Sequence, residues 1–122
     1  MSSPSRTPAS TPQQPLGELL AALQYGLFRL DAAGCISEWS PGATRITGHR
    51  AAELVGRSCE LLDIGASCFG AIVRWLEAAD TPSLSFVGAL QGRSGRAVPI
   101  EGAARLERDA AGRVTGALAA FR

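Results

Sequence analysis

The stretch from Gly26 to Gly56, GLFRLDAAGCISEWSPGATRITGHRAAELVG, constrains the fold of this chain more than any other. At its centre, Asp31-Ala32-Ala33-Gly34 is turn chemistry. The Asp carboxylate can accept from nearby backbone N–H groups, and Gly34 can take a positive φ that a Cβ resists. Gly26–Leu30 and Cys35–Trp39 flank that turn as a hairpin. Ser40-Pro41 then reads as a helix start, with Ser as N-cap and Pro at the first helical position. Gly48, after Ile46-Thr47, is the corresponding stop. A second short helical segment runs from His49 to Val55 and ends at Gly56, and Gly65 and Gly70 punctuate a less regular region.

Ser67 to Ala79 is the clearest helix. Cys68, Ala71, Ile72, Trp75, Leu76 and Ala79 fall at helical spacing and read as one apolar face. Asp80-Thr81-Pro82 ends it, because the residue before Pro avoids helical geometry. Three strands follow. Leu84–Gln91 places Leu84, Phe86, Gly88 and Leu90 on one face, and Val98, Ile100, Gly102, Ala104 and Leu106 alternate in the next strand. Pro99 lacks an N–H and suits a strand edge or bulge. Gln91–Arg96 turns between these strands, and Asp109-Ala110-Ala111-Gly112 repeats the first hairpin's turn. In the last strand Val114, Gly116, Leu118 and Ala120 are expected on one face, with Phe121 on the other. Strand-strand, helices, strand-strand-strand implies an α+β domain: a five-stranded antiparallel sheet with helices packed on one face.

The chain has 122 residues, 46% of them hydrophobic, enough for one domain with its own core. Its net charge of +1 gives no electrostatic case for direct nucleic-acid contact or for an acidic membrane. No apolar run approaches the ~20 residues of a membrane span, and the N-terminus lacks a signal peptide's apolar middle. Cys35, Cys59 and Cys68 are an odd count without metal-ligand pairing, which fits a reducing compartment, so a cytoplasmic location is expected. Residues 1–15, rich in Ser, Thr and Pro, read as a disordered leader. In residues 16–24, LGELLAALQ, Leu16, Leu19, Leu20 and Leu23 make an apolar stripe on a helix too short to stand alone. It must dock on its own domain or on a second copy.

The 26–56 stretch resembles the PAS sensory domain. The carrying residues are Asp31, Gly34, Ile36, Trp39, Pro41, Ala43, Thr47, Gly48, Glu53, Leu54, Gly56 and Arg57, with Ser40 standing where the family usually has Asn. The resemblance spans 16–122 and implies a sheet order 2-1-5-4-3 with a pocket between sheet and helices. It implies a signal-sensing and dimerisation module, part of a longer bacterial signalling protein. By resemblance the output is a DNA-binding transcription regulator, with a histidine kinase or a cyclic-dinucleotide enzyme as alternatives. The homodimer is expected to form through residues 16–24 and the outer sheet face.

No catalytic constellation assembles, so no enzyme is expected: there is one His, His49, and no nucleophile elbow, P-loop or metalloprotease motif. Gly56-Arg57-Ser58-Cys59-Glu60-Leu61-Leu62 resembles the cysteine motif of flavin-binding PAS photoreceptors, with Cys59 at the adduct-forming position. It departs at Ser58, at Glu60 (where that branch has a phosphate-binding Arg) and at Asp63, and the chain has no Asn for the flavin's amide edge. Haem would need an axial ligand, and the long helix has no His. No flavin, haem or metal is therefore expected. Cys59 and Cys68 remain candidates for redox chemistry, with Arg57 the cation that would activate Cys59. The ligand expected is a small apolar molecule held by Leu54, Ile72, Trp75, Leu76, Phe86, Ile100 and Leu118, beside the small residues Gly88, Gly102, Ala104 and Gly116.

Overall fold

Strands β1 (Gly26–Asp31) and β2 (Ile36–Trp39) form the hairpin read from the sequence. The Asp31 carboxylate accepts from Ala33 N at 3.0 Å and Cys35 N at 2.9 Å, and Gly34 sits at φ +87°. The second Asp-Ala-Ala-Gly repeats the device: Asp109 accepts from Ala111 N and Arg113 N, both at 2.9 Å, with Gly112 at φ +84°. This computed structural model describes residues 24–64 and 68–122. The expected leader over 1–15, the expected helix over 16–24 apart from Gln24, and Gly65 and Ser67 lie outside the described residues.

Helix α1 (Pro41–Thr47) starts as its sequence dictates. The Ser40 hydroxyl accepts from Ala43 N at 3.1 Å and also from Leu27 N at 2.9 Å, so one oxygen caps the helix and ties it to β1. Gly48, at φ +84°, ends it. Helix α2 (Ala51–Leu54) and a 3-10 turn (Cys59–Leu62) lead to helix α3 (Cys68–Ala78). The first turn of α3 is served from a distance: Asp63 accepts from Phe69 N at 2.7 Å and Gly70 N at 3.1 Å. These are donors that no helical carbonyl can reach. The helix stops at Ala79, which takes a left-handed φ of +52°, and the Trp75 indole N–H then bonds the Thr81 carbonyl and hydroxyl, both at 3.0 Å.

Strands β3 (Ser83–Gln91), β4 (Ala97–Arg108) and β5 (Val114–Phe121) complete an antiparallel sheet of order β2-β1-β5-β4-β3, as expected. Helix α3 lies against the inner face, on which Phe28, Leu30, Phe86, Leu90, Ile100, Ala104, Leu106, Ala117, Ala119 and Phe121 are buried. Pro99 finds its proper place: it lies opposite Ala89 of β3, and the pairing of β4 with β5 begins only at Gly102. Its missing N–H therefore breaks no rung.

Two faces differ from their sequence reading. On α3, Ala71 is exposed and Phe69 is wholly buried, so the buried stripe is Phe69, Ile72, Trp75 and Leu76. On β5, the core side is Ala117, Ala119 and Phe121, and Leu118 and Ala120 point to the outer face. The cause is register. Ala119 pairs with buried Phe28 and Leu118 with Arg29, and directly paired residues share a face. Leu118 is thus removed from the inner-face ligand set.

Gly116 pairs with Asp31 on one side and Glu107 on the other, and a Cβ there would collide with the Leu30 carbonyl. Gly116→Ala should cost about 3 kcal/mol, the upper end for overpacking, read as a lower urea midpoint at unchanged slope.

Candidate functional site

The structure presents two candidate surfaces, one on each side of the sheet. On the inner side it brings together Leu54, Ile72, Trp75, Leu76, Phe86 and Ile100, all buried in one cluster. Beside them lies an aromatic group that the sequence reading missed as a unit. Phe28 stands 5.9 Å from Trp39, 6.0 Å from Phe69 and 5.8 Å from Phe121 between ring centroids. The spacing Phe69, Ile72, Leu76 was the available signal, at i, i+3 and i+7. The small strand residues admit close neighbours rather than leave a hollow at their own positions. A Cβ at Gly88 would lie 3.1 Å from Cys68 Cβ and 3.2 Å from its sulfur, and one at Gly102 would lie 2.8 Å from the Phe86 ring.

Among the described residues Thr47 is the one buried polar side chain, and its hydroxyl is occupied. It donates to Ala43 O at 2.8 Å and accepts from His49 N at 3.1 Å. The inner rows of β4 and β5 are Ile100, Ala104 and Leu106, and Ala117, Ala119 and Phe121. Among the described residues these rows hold no side-chain hydrogen-bond partner, so a polar ring edge placed there would lose its water hydrogen bonds without replacement. Nor, among the described residues, do three or more His, Cys, Asp or Glu gather where they could hold a metal ion.

The thiol chemistry is equally specific. Cys35, Cys59 and Cys68 are all free. Cys59 is fully buried, and burial first, then the charges of Glu60 and Asp63, push its pKa from the ordinary 9.0 up to about 12. Burial and Asp63 also raise that of half-buried Cys68. Arg57, the expected activator, instead donates to the Glu53 carbonyl at 3.4 Å. The charges of Glu60 and Asp63 oppose the thiolate that a neighbouring cation would favour.

The outer face is built in rows across the sheet. Leu27, Ala120, Ala103 and Ser85 are successive partners across β1, β5, β4 and β3, a row of small and apolar side chains. It runs through two adjoining hollows. One of about 300 Å³ touches Leu27, Ala103, Leu118 and Ala120, and one of about 420 Å³ touches Tyr25, Val87, Gly102 and Arg122. Charge flanks the row along both of its sides. Arg29 Nη1 bonds Glu38 Oε1 at 2.6 Å, and its Nε and Nη2 grip both Glu107 oxygens at 2.9 and 3.1 Å. These partners, Glu107 first, hold the Arg29 pKa above its usual value. At the other rim Arg122 pairs with Glu101 at 3.1 Å and lies 5.4 Å over the Tyr25 ring.

The comparisons agree with this geometry. The family model for the PAS fold matches residues 16–122. The chain belongs to the PAS family, whose domains are sensors. Among curated proteins none matches. Of the solved structures it is similar to, a PAS domain from Colwellia psychrerythraea superposes with a TM-score of 0.77 at 14% identity, covering 92% of this chain and 96% of that one. Drosophila melanogaster Cycle PAS-B, with bound ethylene glycol, gives 0.69 at 13% identity, covering 80% and 97%. The light-state dimer of the fungal blue-light photoreceptor Vivid gives 0.69 at 14% identity, covering 95% and 97%. At these identities the likeness is one of fold.

A thiol that titrates higher folded than unfolded makes the folded state the better proton binder between the two values, and stability then falls as pH rises. For Cys59 that window runs from 9.0 to about 12. Cys59→Ala should flatten the alkaline loss of stability across it, and in the native wild-type protein thiol reagents should leave Cys59 unmodified near neutral pH until denaturant is added.

Proposed function

We propose that this PAS domain is a non-enzymatic sensor that answers a small apolar molecule and relays the change to a second copy of the chain. The observation that carries the ligand class is the chemistry of the interior, where among the described residues every buried side chain is apolar except Thr47, whose hydroxyl is already bonded. An apolar guest gains about 25 cal/mol per Å² of buried surface. A polar guest would pay for lost hydration and gain no bond. Leu54, Ile72, Trp75, Leu76, Phe86 and Ile100 are the side chains that would yield to it. To act as a signal the guest must favour one arrangement of α3 on the sheet over another.

The relay runs through the outer face. An apolar row with charged flanks has the anatomy of a modest protein interface. The Leu16–Leu23 stripe is the element of this chain with matching chemistry to cover it, in its own domain and across a homodimer. The output follows the family resemblance: a DNA-binding transcription regulator in the cytoplasm, ahead of a histidine kinase or a cyclic-dinucleotide enzyme.

An absorbance spectrum and a native mass spectrum of one purified sample test this reading. A colourless protein at dimer mass is expected, and saturating benzene should raise its melting temperature more than phenol does. A flavin or haem band, or no response to either probe, would overturn the ligand assignment. A monomer mass at all concentrations would overturn the relay.

A further inference from the structure

The two edges of the sheet are treated very differently. Strand β2 is four residues long and carries Glu38, and its outer side is occupied: Ile36 N donates to Arg57 O at 2.8 Å and Gly56 N donates to Ile36 O at 2.7 Å. Strand β3, SLSFVGALQ, is nine residues long and holds no charge and no proline. Those are the devices that usually protect a free edge. Val87, at its centre, is 82% exposed.

The pairing shows which groups point outward. Leu106 N donates to Pro82 O at 2.9 Å, and the β3–β4 register continues from there without a bulge. In an antiparallel ladder the residues in step with Pro82, namely Leu84, Phe86, Gly88 and Leu90, exchange bonds with β4. Ser83, Ser85, Val87, Ala89 and Gln91 therefore turn N–H and C=O to the free edge. The far end of that edge is taken: the His49 ring nitrogen bonds Gln91 O at 2.7 Å, and Asp63 bridges to Leu90. Among the described residues, no strand pairs with the edge from Ser83 to Val87.

We propose that a second copy of this chain occupies this edge, joined antiparallel across a two-fold axis at Ser85. This deepens the relay reading above and rests on it. The register follows from the open length: Ser85 lies opposite its own copy, Ser83 opposite Val87, and Leu84 opposite Phe86. Each outward residue then exchanges both backbone bonds with its partner. The two-fold brings like onto like, which demands an uncharged strand, and β3 is one. It also extends the outer row, because Leu27, Ala120, Ala103 and Ser85 run straight into Ser85, Ala103, Ala120 and Leu27 of the second copy. Each copy's outer row thus becomes half of one apolar trough. With β2 occupied at Ile36, assembly by edges closes at two.

The test is light scattering over a dilution series, with amide hydrogen exchange on the same samples. Ser85→Lys adds a charge on the exposed outer side, where melting temperature reports that folding is intact. It sets two ammonium groups face to face at the axis, and the dimer dissociation constant should rise on the order of a hundredfold. In the wild type, the Ser85 and Val87 amides should exchange slowly in the dimer and fast in the dilute monomer. Three results would overturn the proposal: a dimer indifferent to Ser85→Lys, fast exchange at Ser85 and Val87 in the dimer, or slow exchange there in the monomer, which would assign the edge to another segment of the same chain. Leu118→Glu separates the two readings. If it alone dissociates the dimer, the outer-face relay stands and the edge assignment falls.

Discussion

The contact of Phe28 with three other aromatic rings decides more of this structure than any other interaction. Trp39, Phe69 and Phe121 lie around it at 5.8–6.0 Å, in tilted arrangements that aromatic quadrupoles favour. The rings come from β1, β2, α3 and β5, so one side chain sets four elements against each other. It also sets parity. With Phe28 turned inward, Leu27 and Arg29 must face outward. Pairing then carries that choice to Leu118 and Ala120 on β5, and on to Ala103 and Arg105 on β4. The apolar outer row and its charged rim are consequences of where one phenyl ring is buried.

This hierarchy explains which parts of the molecule were legible in the sequence. The hairpin turn, the Ser40 cap and the Gly48 stop depend on residues within a few positions of each other, and each formed as read. The order of strands followed from the family resemblance and agreed. The phase of β5 was not legible, because VTGALAAF carries small residues on both sides and one large ring at its end. Only the pairing of Ala119 with Phe28 shows which side is inside. The phase of α3 failed in a milder way: Phe69 and Ala71 compete for the stripe, and the larger ring wins the core because its burial is worth more. Six of the seven proposed inner-face residues were brought together, and the seventh left with its strand's phase.

Charge near the thiols could not be read from neighbours in sequence. Arg57 is two positions from Cys59, yet it turns to the Glu53 carbonyl, while Glu60 and Asp63 supply the local field. Asp63 is where it is for a structural reason, since it receives the first free donors of α3. A carboxylate that caps a helix next to two cysteines opposes thiolate formation at both. The carboxylate that the fold places here as a helix cap and the cation that thiol chemistry calls for pull in opposite directions.

The two candidate surfaces meet on β3. The foot of α3 rests there, with Cys68 against Gly88, and no residue larger than glycine would admit so close a seat without displacing it. The same strand is held at its far end by His49 and Asp63, and among the described residues no strand pairs with it from Ser83 to Val87. Among the described residues no strand pairs with those next few positions, so a guest that lifted α3 from the inner face would bear on the part of β3 bonded to β4 alone. Protein interiors transmit such displacements because they are close-packed. An edge strand is the one element of a sheet that can move without breaking a rung on both sides. In the sensor reading proposed above, that asymmetry makes β3 the path from a change in the core to a change between copies, and it rests on the glycine at 88 and the missing charges on SLSFVGALQ.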